Sequence, residues 1–143
     1  RFTVLALPNS GVFKLTYECR MGSNCEEIYK DLTDKNVFGL SHLVEHLSFK
    51  STKHYTTREL KETLRSYGMY NAGTNTDYIN YFFITVSEKY KLAIQLILDI
   101  ALNDLSKVTE DEFLLERKVV SNEALMYNGN KEYKFNRIKI SMV

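Results

Sequence analysis

Residues 38–49 read Phe-Gly-Leu-Ser-His-Leu-Val-Glu-His-Leu-Ser-Phe, and this stretch carries the clearest periodic pattern of the chain. His42, Glu45 and His46 stand at positions i, i+3 and i+4, which places three side chains on one face of a helix. The residues between and beside them are apolar, namely Leu40, Leu43, Val44 and Leu47. The pattern therefore predicts a helix from about Val37 to Phe49, with three polar groups in an apolar setting.

Three polar side chains that converge in an apolar setting must bind one another or hold a ligand. Two neutral imidazoles are good zinc ligands, and a carboxylate beside them can accept a proton from a zinc-activated water. The order H-x-x-E-H is the one found in inverzincins. We therefore expect His42 and His46 to bind Zn2+, with Glu45 next to the ion. The alternative is a helix whose two histidines have only a packing or surface role.

The overall composition excludes several classes of protein. The 143 residues are 44% hydrophobic and 26% charged, which suits a single globular domain over residues 1–143. The net charge of +1 gives no sign of a nucleic-acid partner, and no apolar run reaches the ~18 residues of a membrane span. Cys19 and Cys25 form neither a C-x-x-C pair nor a disulfide scaffold. The compartment stays open.

Four short stretches have the alternation or the composition of strands. Residues 13–19 alternate apolar and polar side chains, and an apolar run at 4–7 precedes them across a turn, so the two predict a hairpin. Residues 78–86 are mostly aromatic and β-branched, which indicates a strand with substantial burial on both faces. Residues 69–74 are smaller and more polar, as expected of an edge strand. Residues 131–143 fit neither a helical nor a strand period.

Capping residues predict further helices. Thr56 with Glu59, and Thr109 with Glu112, form capping-box patterns. The helices expected are one that ends at Gly68, one from Glu88 to about Leu102 capped by Ser87, and one from Glu110 to about Tyr127. The segment 21–36 has little periodicity and is expected to be a loop. Its acidic residues, Glu26, Glu27, Asp31 and Asp34, are expected on a solvated surface.

A catalytic zinc site needs a third protein ligand beside the two histidines. His54 follows the predicted metal helix, but an exposed loop histidine without fixed geometry is the plainer interpretation. The last predicted helix offers Glu112, Glu116 and Glu123. The last two are seven residues apart, so they lie within about 20° of one another on one helical face. Apolar residues surround them, namely Val119, Val120, Ala124 and Leu125. Each glutamate could equally be a solvated helix charge.

Taken together, these motifs resemble those of a known family. The chain is similar to the N-terminal catalytic half-domain of the pitrilysin, insulin-degrading enzyme and mitochondrial processing peptidase family, which are zinc metalloendopeptidases. The similar segments are Gly22-Ser23, Gly39 to Lys50, Asn71-Ala72 with Thr74 and Tyr81, and Glu116 to Glu123. The resemblance covers most of residues 2–127, and Glu123 follows His46 by 77 residues, where the family has its third ligand. Ser51 replaces the usual glycine.

The resemblance implies a role for each matching site residue. His42 and His46 correspond to the histidine ligands of zinc, and Glu123 corresponds to the carboxylate ligand. Glu45 corresponds to the general base that activates the attacking water. Glu116 corresponds to the second acidic residue of the ligand helix, which orients a histidine and fixes its tautomer.

The resemblance also implies the fold, the substrate and a partner. An α+β half-domain is expected, with an antiparallel sheet covered by helices on one side. Asn71 and Ala72 correspond to an edge-strand pair that binds the backbone of an extended peptide or unfolded polypeptide. The chain begins without Met and stops about twenty residues after Glu123, so we expect a truncated half-domain. A second half-domain would then lie on the missing part of the chain or on a separate subunit.

The alternative is a non-catalytic scaffold or interaction subunit of the same family that keeps a structural zinc site. A structural site is closed by four protein ligands, whereas a catalytic site leaves one position open. The presence of all the expected zinc residues favours the peptidase.

Overall fold

A four-stranded antiparallel sheet forms the frame of the computed structural model, which describes residues 1–6, 11–33 and 38–128. The strands are β1 (Phe2–Ala6), β2 (Val12–Cys19), β3 (Gly68–Thr74) and β4 (Ile79–Val86). Their order across the sheet is β1-β2-β4-β3, and each neighbouring pair is antiparallel. The predicted hairpin of the first two strands is confirmed, and β3 lies at an edge of the sheet, as expected.

Helices connect the strands and cover one face of the sheet. They are α1 (Asn24–Thr33), α2 (Leu40–Ser48), α3 (Thr57–Tyr67), α4 (Tyr90–Ala101) and α5 (Glu110–Asn128). Both capping boxes are present, because Thr56 and Glu59 exchange hydrogen bonds at the start of α3, and Thr109 and Glu112 do so before α5. The α+β class is therefore confirmed. None of the helices in the described ranges is long and apolar enough to cross a bilayer.

The main core lies between the sheet and the helices α3 and α4. Leu15 of β2 and Phe83 of β4 are fully buried and face each other in the register. The helices contribute Leu60, Leu64, Ala93, Leu96, Ile97 and Ile100. On the opposite face of the sheet, Phe82 is only half-buried and the Nζ of Lys14 lies 5.2 Å from the centre of its ring. The burial expected on both faces of β4 is therefore complete on the face covered by helices and only partial on the other face.

The segment 21–36 contains a helix, so the expectation of a loop is wrong. Residues Asn24–Thr33 form α1. The sequence does carry a sign of this helix, because Cys25, Ile28, Tyr29 and Leu32 stand at positions i, i+3, i+4 and i+7. Ile28 and Tyr29 are nevertheless exposed, so these two side chains do not join the core. Glu27 is exposed, as expected. The side chain of Asp31, all of Asp34 and the uninterpreted residues 131–143 lie outside the described part of the chain.

Glu26 was expected at a solvated surface, and it is instead 7% exposed. Its carboxylate accepts hydrogen bonds from the backbone N–H groups of Gly39, at 2.8 Å, and Ser41, at 2.7 Å. These are donors at the start of α2 that have no partner within the helix, so the carboxylate of one helix caps another. Gly39 has a left-handed φ of 84°, and α2 therefore begins only at Leu40.

The helix α2 packs against α5. Leu43 and Leu47 of α2 are buried against Val120 of α5, and Leu105 and Val108 close this small cluster from the connecting segment. This contact brings an early and a late part of the chain together, and it fixes which residues of the two helices can meet.

Candidate metal centre

Two imidazoles from α2 and one carboxylate from α5 meet beside this helix contact. Nε2 of His42 lies 3.1 Å from Nε2 of His46. Oε2 of Glu123 lies 3.4 Å from the first of these atoms and 3.7 Å from the second. The three donor atoms form a nearly equilateral triangle, and all three side chains are partly exposed. A small ion or a water molecule can therefore reach them from solvent.

The spacing of these donors suits zinc. Ligands about 2.0–2.1 Å from a tetrahedral Zn2+ lie about 3.3 Å from one another, which is close to the three measured separations. Two nitrogens and one oxygen make the His2Glu donor set of catalytic zinc sites, in which a fourth position stays open. Among the described residues, no other three His, Cys, Asp or Glu side chains have donor atoms so close together. The residues present thus fit a zinc ion.

Glu116 lies two turns before Glu123 on α5 and contacts the other edge of the His46 ring. Its Oε2 is 2.9 Å from Nδ1 of His46. With a carboxylate as acceptor, Nδ1 carries the proton and donates it, which leaves the lone pair of Nε2 for a metal. Burial raises the pKa of Glu116, but hydrogen bonds from Lys50 and His46 together lower it more, so the pKa lies below its usual value. The carboxylate is therefore ionised at neutral pH.

Lys50 is a site residue that the sequence did not single out. Its side chain is buried, and its Nζ forms an ion pair with Oε1 of Glu116. The turn after α2 directs it there, and Asn103 holds this turn by donating from its side-chain amide to the carbonyls of Ser48 and Ser51. A lysine just after a helix end carries no local signal of such a contact. Only the packing of α5 against α2 reveals it.

Glu45 lies on α2, outside the donor triangle. It is 8% exposed, and its Oε2 accepts a hydrogen bond from Oγ1 of Thr74 on β3 at 2.5 Å.

Tyr81 donates to Oγ of Ser48, because the Ser48 hydroxyl itself donates to the carbonyl of Val44. Burial raises the pKa of Tyr81 to about 12. The hydrogen bond with Ser48 lowers this pKa, and the negative charge of Glu45 raises it further. Tyr81 therefore stays neutral.

The predicted substrate-binding residues lie in the middle of the edge strand β3. Asn75 donates its N–H across the hairpin to the carbonyl of Tyr78. Since backbone groups alternate along a strand, the N–H of Ala72 points to the open edge of the sheet. It donates there to Oδ1 of Asn71, at 2.9 Å. An extended peptide can add to an exposed strand edge of this kind.

The start of α2 is tied to the β3–β4 hairpin through the segment before α1. Oγ of Ser41 donates to the carbonyl of Gly22 at 3.1 Å, and the N–H of Ser23 donates to the carbonyl of Asn75 at 2.9 Å. A Cβ on Gly22 would lie 2.4 Å from the backbone of Thr76, so no larger residue fits without a shift. These contacts therefore fix the position of α2, which carries the histidines, relative to the edge strand β3.

The structure does not bring every candidate to the centre. His54 is 65% exposed in its side chain, and its Nδ1 lies 2.5 Å from Oδ1 of Asp99 rather than in the donor triangle. Glu112 caps α5 and accepts hydrogen bonds from Thr109. Leu125 was expected to surround Glu123 with apolar atoms, but it is 70% exposed.

Comparisons with known proteins identify the family of the chain. The family model described as "Insulinase (Peptidase family M16)" matches residues 32–139. The chain is 32% identical over 115 residues to a zinc protease, PqqE, of Helicobacter pylori, and the match covers 80% of this chain and 24% of that protein. It is 33% identical over 90 residues to an uncharacterized zinc protease, YmxG, of Bacillus subtilis, covering 62% and 22%.

The fold of the chain also matches that of a solved protease structure. The crystal structure of a protease from Helicobacter pylori matches with a TM-score of 0.67 and 28% identity over 86% of this chain and 30% of that one. The chain spans about a quarter of the length of the curated relatives it matches. The family model covers well over half of the chain, including α2 and α5. In agreement with the resemblance in its motifs, the chain belongs to the insulinase family, Peptidase family M16.

Proposed function

We propose that this chain is the zinc-binding half-domain of a metalloendopeptidase that hydrolyses peptide bonds in extended peptides or unfolded polypeptides. The observation that carries the proposal is the triangle of His42, His46 and Glu123 donors, with separations of 3.1, 3.4 and 3.7 Å that suit a tetrahedral zinc ion. The relatives whose names describe zinc proteases support the same chemistry.

In this proposal the side chains have distinct roles. His42, His46 and Glu123 hold the ion, and Glu116 keeps the tautomer of His46 that leaves Nε2 free. When bound, zinc would supply a Lewis acid that polarises the scissile carbonyl and makes water a better nucleophile. Glu45 accepts a proton from the attacking water and delivers it to the leaving amine.

The substrate binds, in this proposal, as an additional strand along β3. Ala72 has its N–H at the open edge, and Asn71 already accepts a hydrogen bond from it with a side-chain amide oxygen. A substrate carbonyl takes the place of that oxygen, because both are acceptors for the same donor. Backbone pairing of this kind is indifferent to side chains and so suits a broad range of extended peptides.

We also propose that a second half-domain of the same family encloses the substrate. It would lie elsewhere on the polypeptide or on a separate subunit. Two observations support this: the chain spans about a quarter of its relatives' length, and the donor triangle is partly exposed. Water exclusion strengthens electrostatic catalysis, so a second wall over the site would raise activity.

The test combines metal analysis with cleavage of a quenched fluorescent peptide by the complete polypeptide, with and without a chelator. Glu45→Gln should abolish cleavage while the zinc load stays unchanged. Glu123→Ala should lower the zinc load, whereas Glu110→Ala, an exposed glutamate on the same helix, should not. Wild-type turnover in Glu45→Gln would refute the base assignment. Full zinc binding without any cleavage by the wild-type protein would instead favour the non-catalytic interaction subunit.

A further inference from the structure

The edge strand and the proposed base are joined by one hydrogen bond. Thr74 is the last residue of β3, and its Oγ1 donates to Oε2 of Glu45 at 2.5 Å. The two residues are 29 positions apart in sequence and belong to different elements. This contact is not part of the donor triangle, and none of the zinc roles assigned above requires it.

Glu45 depends on this contact. A buried carboxylate needs hydrogen-bond donors, and a charge-assisted bond from a hydroxyl is among the stronger kinds. Within the described ranges, Thr74 is the one residue that donates to the Glu45 side chain. Its Oε2 is thereby fixed, while Oε1 makes no hydrogen bond to the described residues and stays available to accept a proton.

Thr74 is itself held firmly. It pairs with Ile79 in the β3–β4 ladder, and the next residue, Asn75, closes the hairpin by donating to Tyr78. The carbonyl of Asn75 also accepts the N–H of Ser23, which ties the hairpin to the segment before α1. The hydroxyl therefore sits on a rigid support rather than on a mobile loop.

We propose that Thr74 is the positioning residue of the general base and couples substrate binding on β3 to the orientation of Glu45. This inference rests on the proposed function. Thr74 and Ala72 are two residues apart, so both direct their main chains to the open edge and their side chains to the same face of the sheet. A peptide paired with Ala72 thus lies on the same short stretch of strand that holds the base.

The central variants are Thr74→Val, which keeps the shape and removes the hydroxyl, and Thr74→Ser, which keeps the hydroxyl. Thr74→Val should lower kcat by about tenfold or more, because misplacing a general base forfeits part of its 10²–10⁴-fold contribution. KM and zinc content should change little, and Thr74→Ser should recover most of kcat. Thr85→Val is the matched control, since Thr85 donates to the carbonyl of Tyr67, far along the sheet from Glu45. It should keep kcat.

A second readout does not depend on activity or metal. In metal-free protein, thermal unfolding is measured for Thr74→Val, Glu45→Ala and the double variant. The loss of unfolding temperature caused by Thr74→Val should be clearly smaller when Glu45 is already alanine, because the two residues share one hydrogen bond. Strict additivity would overturn the contact on which the inference depends.

The outcomes separate the two proposals. If Glu45→Gln is inactive and zinc-loaded but Thr74→Val keeps wild-type kcat, the positioning role is wrong and the peptidase proposal stands. A rise in KM with unchanged kcat, or a loss of zinc in Thr74→Val, also overturns the positioning role. If Glu45→Gln remains active, the proposed function fails first, and non-additive unfolding would then support the contact alone.

Discussion

His46 and Glu116 are joined by a 2.9 Å contact between Nδ1 and Oε2, on the ring edge opposite the donor triangle. The carboxylate therefore selects the tautomer of a residue that we propose as a zinc ligand. Since the partner lies on α5, which also carries Glu123, a single helix both completes the triangle and orients one of its members.

The first prediction concerns the charge of Glu116. Glu116→Gln keeps the shape of the side chain but accepts more weakly from His46, so zinc affinity should fall about 10–100-fold. Competition with a fluorescent zinc chelator measures this change. Glu110→Gln, on the same helix but exposed, should leave the affinity unchanged. Equal affinities in both variants would show that Glu116 has no part in orienting the ligand.

The second prediction concerns the buried ion pair of Lys50 and Glu116, whose side chains are 7% and 12% exposed. Lys50→Met leaves the carboxylate without its cation, and breaking a buried pair in this way costs about 3–5 kcal/mol of unfolding free energy. Denaturant unfolding of the metal-free protein measures the loss. Adding Glu116→Gln should recover part of it, because the uncompensated charge is then gone. Lys53→Met, which changes an exposed lysine three residues away, is the control.

The third prediction is a pH dependence set by Glu112. Burial raises the pKa of this carboxyl, but hydrogen bonds from Thr57 and Thr109 outweigh it, so the pKa lies below its usual value. A carboxyl with a lowered folded pKa stabilises the protein above the unfolded pKa of about 4.3, and this stabilisation is lost as the pH falls through the folded pKa. Glu112→Gln should thus lower the unfolding temperature at pH 7.

The Glu112 prediction is tested by comparing the unfolding temperatures of the wild type and Glu112→Gln at several pH values. The difference in unfolding temperature between the wild type and Glu112→Gln should shrink as the pH is lowered from 6 to 3, since wild type loses the same contribution by protonation. Glu110→Gln, next to the cap but exposed, should show no such narrowing. If the difference in unfolding temperature stays constant over this pH range, the pKa of Glu112 is not lowered in the folded protein.

The fourth prediction concerns the cap that α1 provides for α2. Glu26→Ala leaves the N–H groups of Gly39 and Ser41 without their acceptor, which should cost about 1–2 kcal/mol, as other N-cap removals do. Zinc affinity should fall as well, because His42 follows Ser41 directly. Unfolding and zinc titration measure the two effects. Glu27→Ala, its exposed neighbour, should have neither, and Glu26→Gln should be milder because it keeps an acceptor.

Local patterns were sufficient to predict much of the fold. The helix α2, the edge strand β3 and the two capping boxes depend on spacings of two to four residues, and these are visible in the sequence. The meeting of His46 with Glu123 is a different matter, because helical periodicity alone left three glutamates open as the partner. The resemblance to a family singled out Glu123, and the packing of α2 on α5 brings the two residues together.

The contacts that sequence reasoning missed are all between distant parts of the chain. Glu26 of α1 contacts the start of α2, Lys50 contacts Glu116 on α5, and Thr74 of β3 contacts Glu45 on α2. Each is a common polar residue, and its neighbours in the sequence give no signal of the distant contact. The helix α1 is a different case, because Cys25, Ile28, Tyr29 and Leu32 have helical spacing but stand among the glycine, asparagine and charged residues of segment 21–36, which indicate a loop.

The bond from Ala72 to Oδ1 of Asn71 also bears on how the free protein behaves at high concentration. An open strand edge invites pairing with the same edge of a second molecule, which leads to self-association. Asn71 occupies one of the donors that such pairing would use. The strand that we propose to bind peptides is therefore partly shielded from pairing with a second molecule, and Asn71→Ala should make the protein more prone to aggregate.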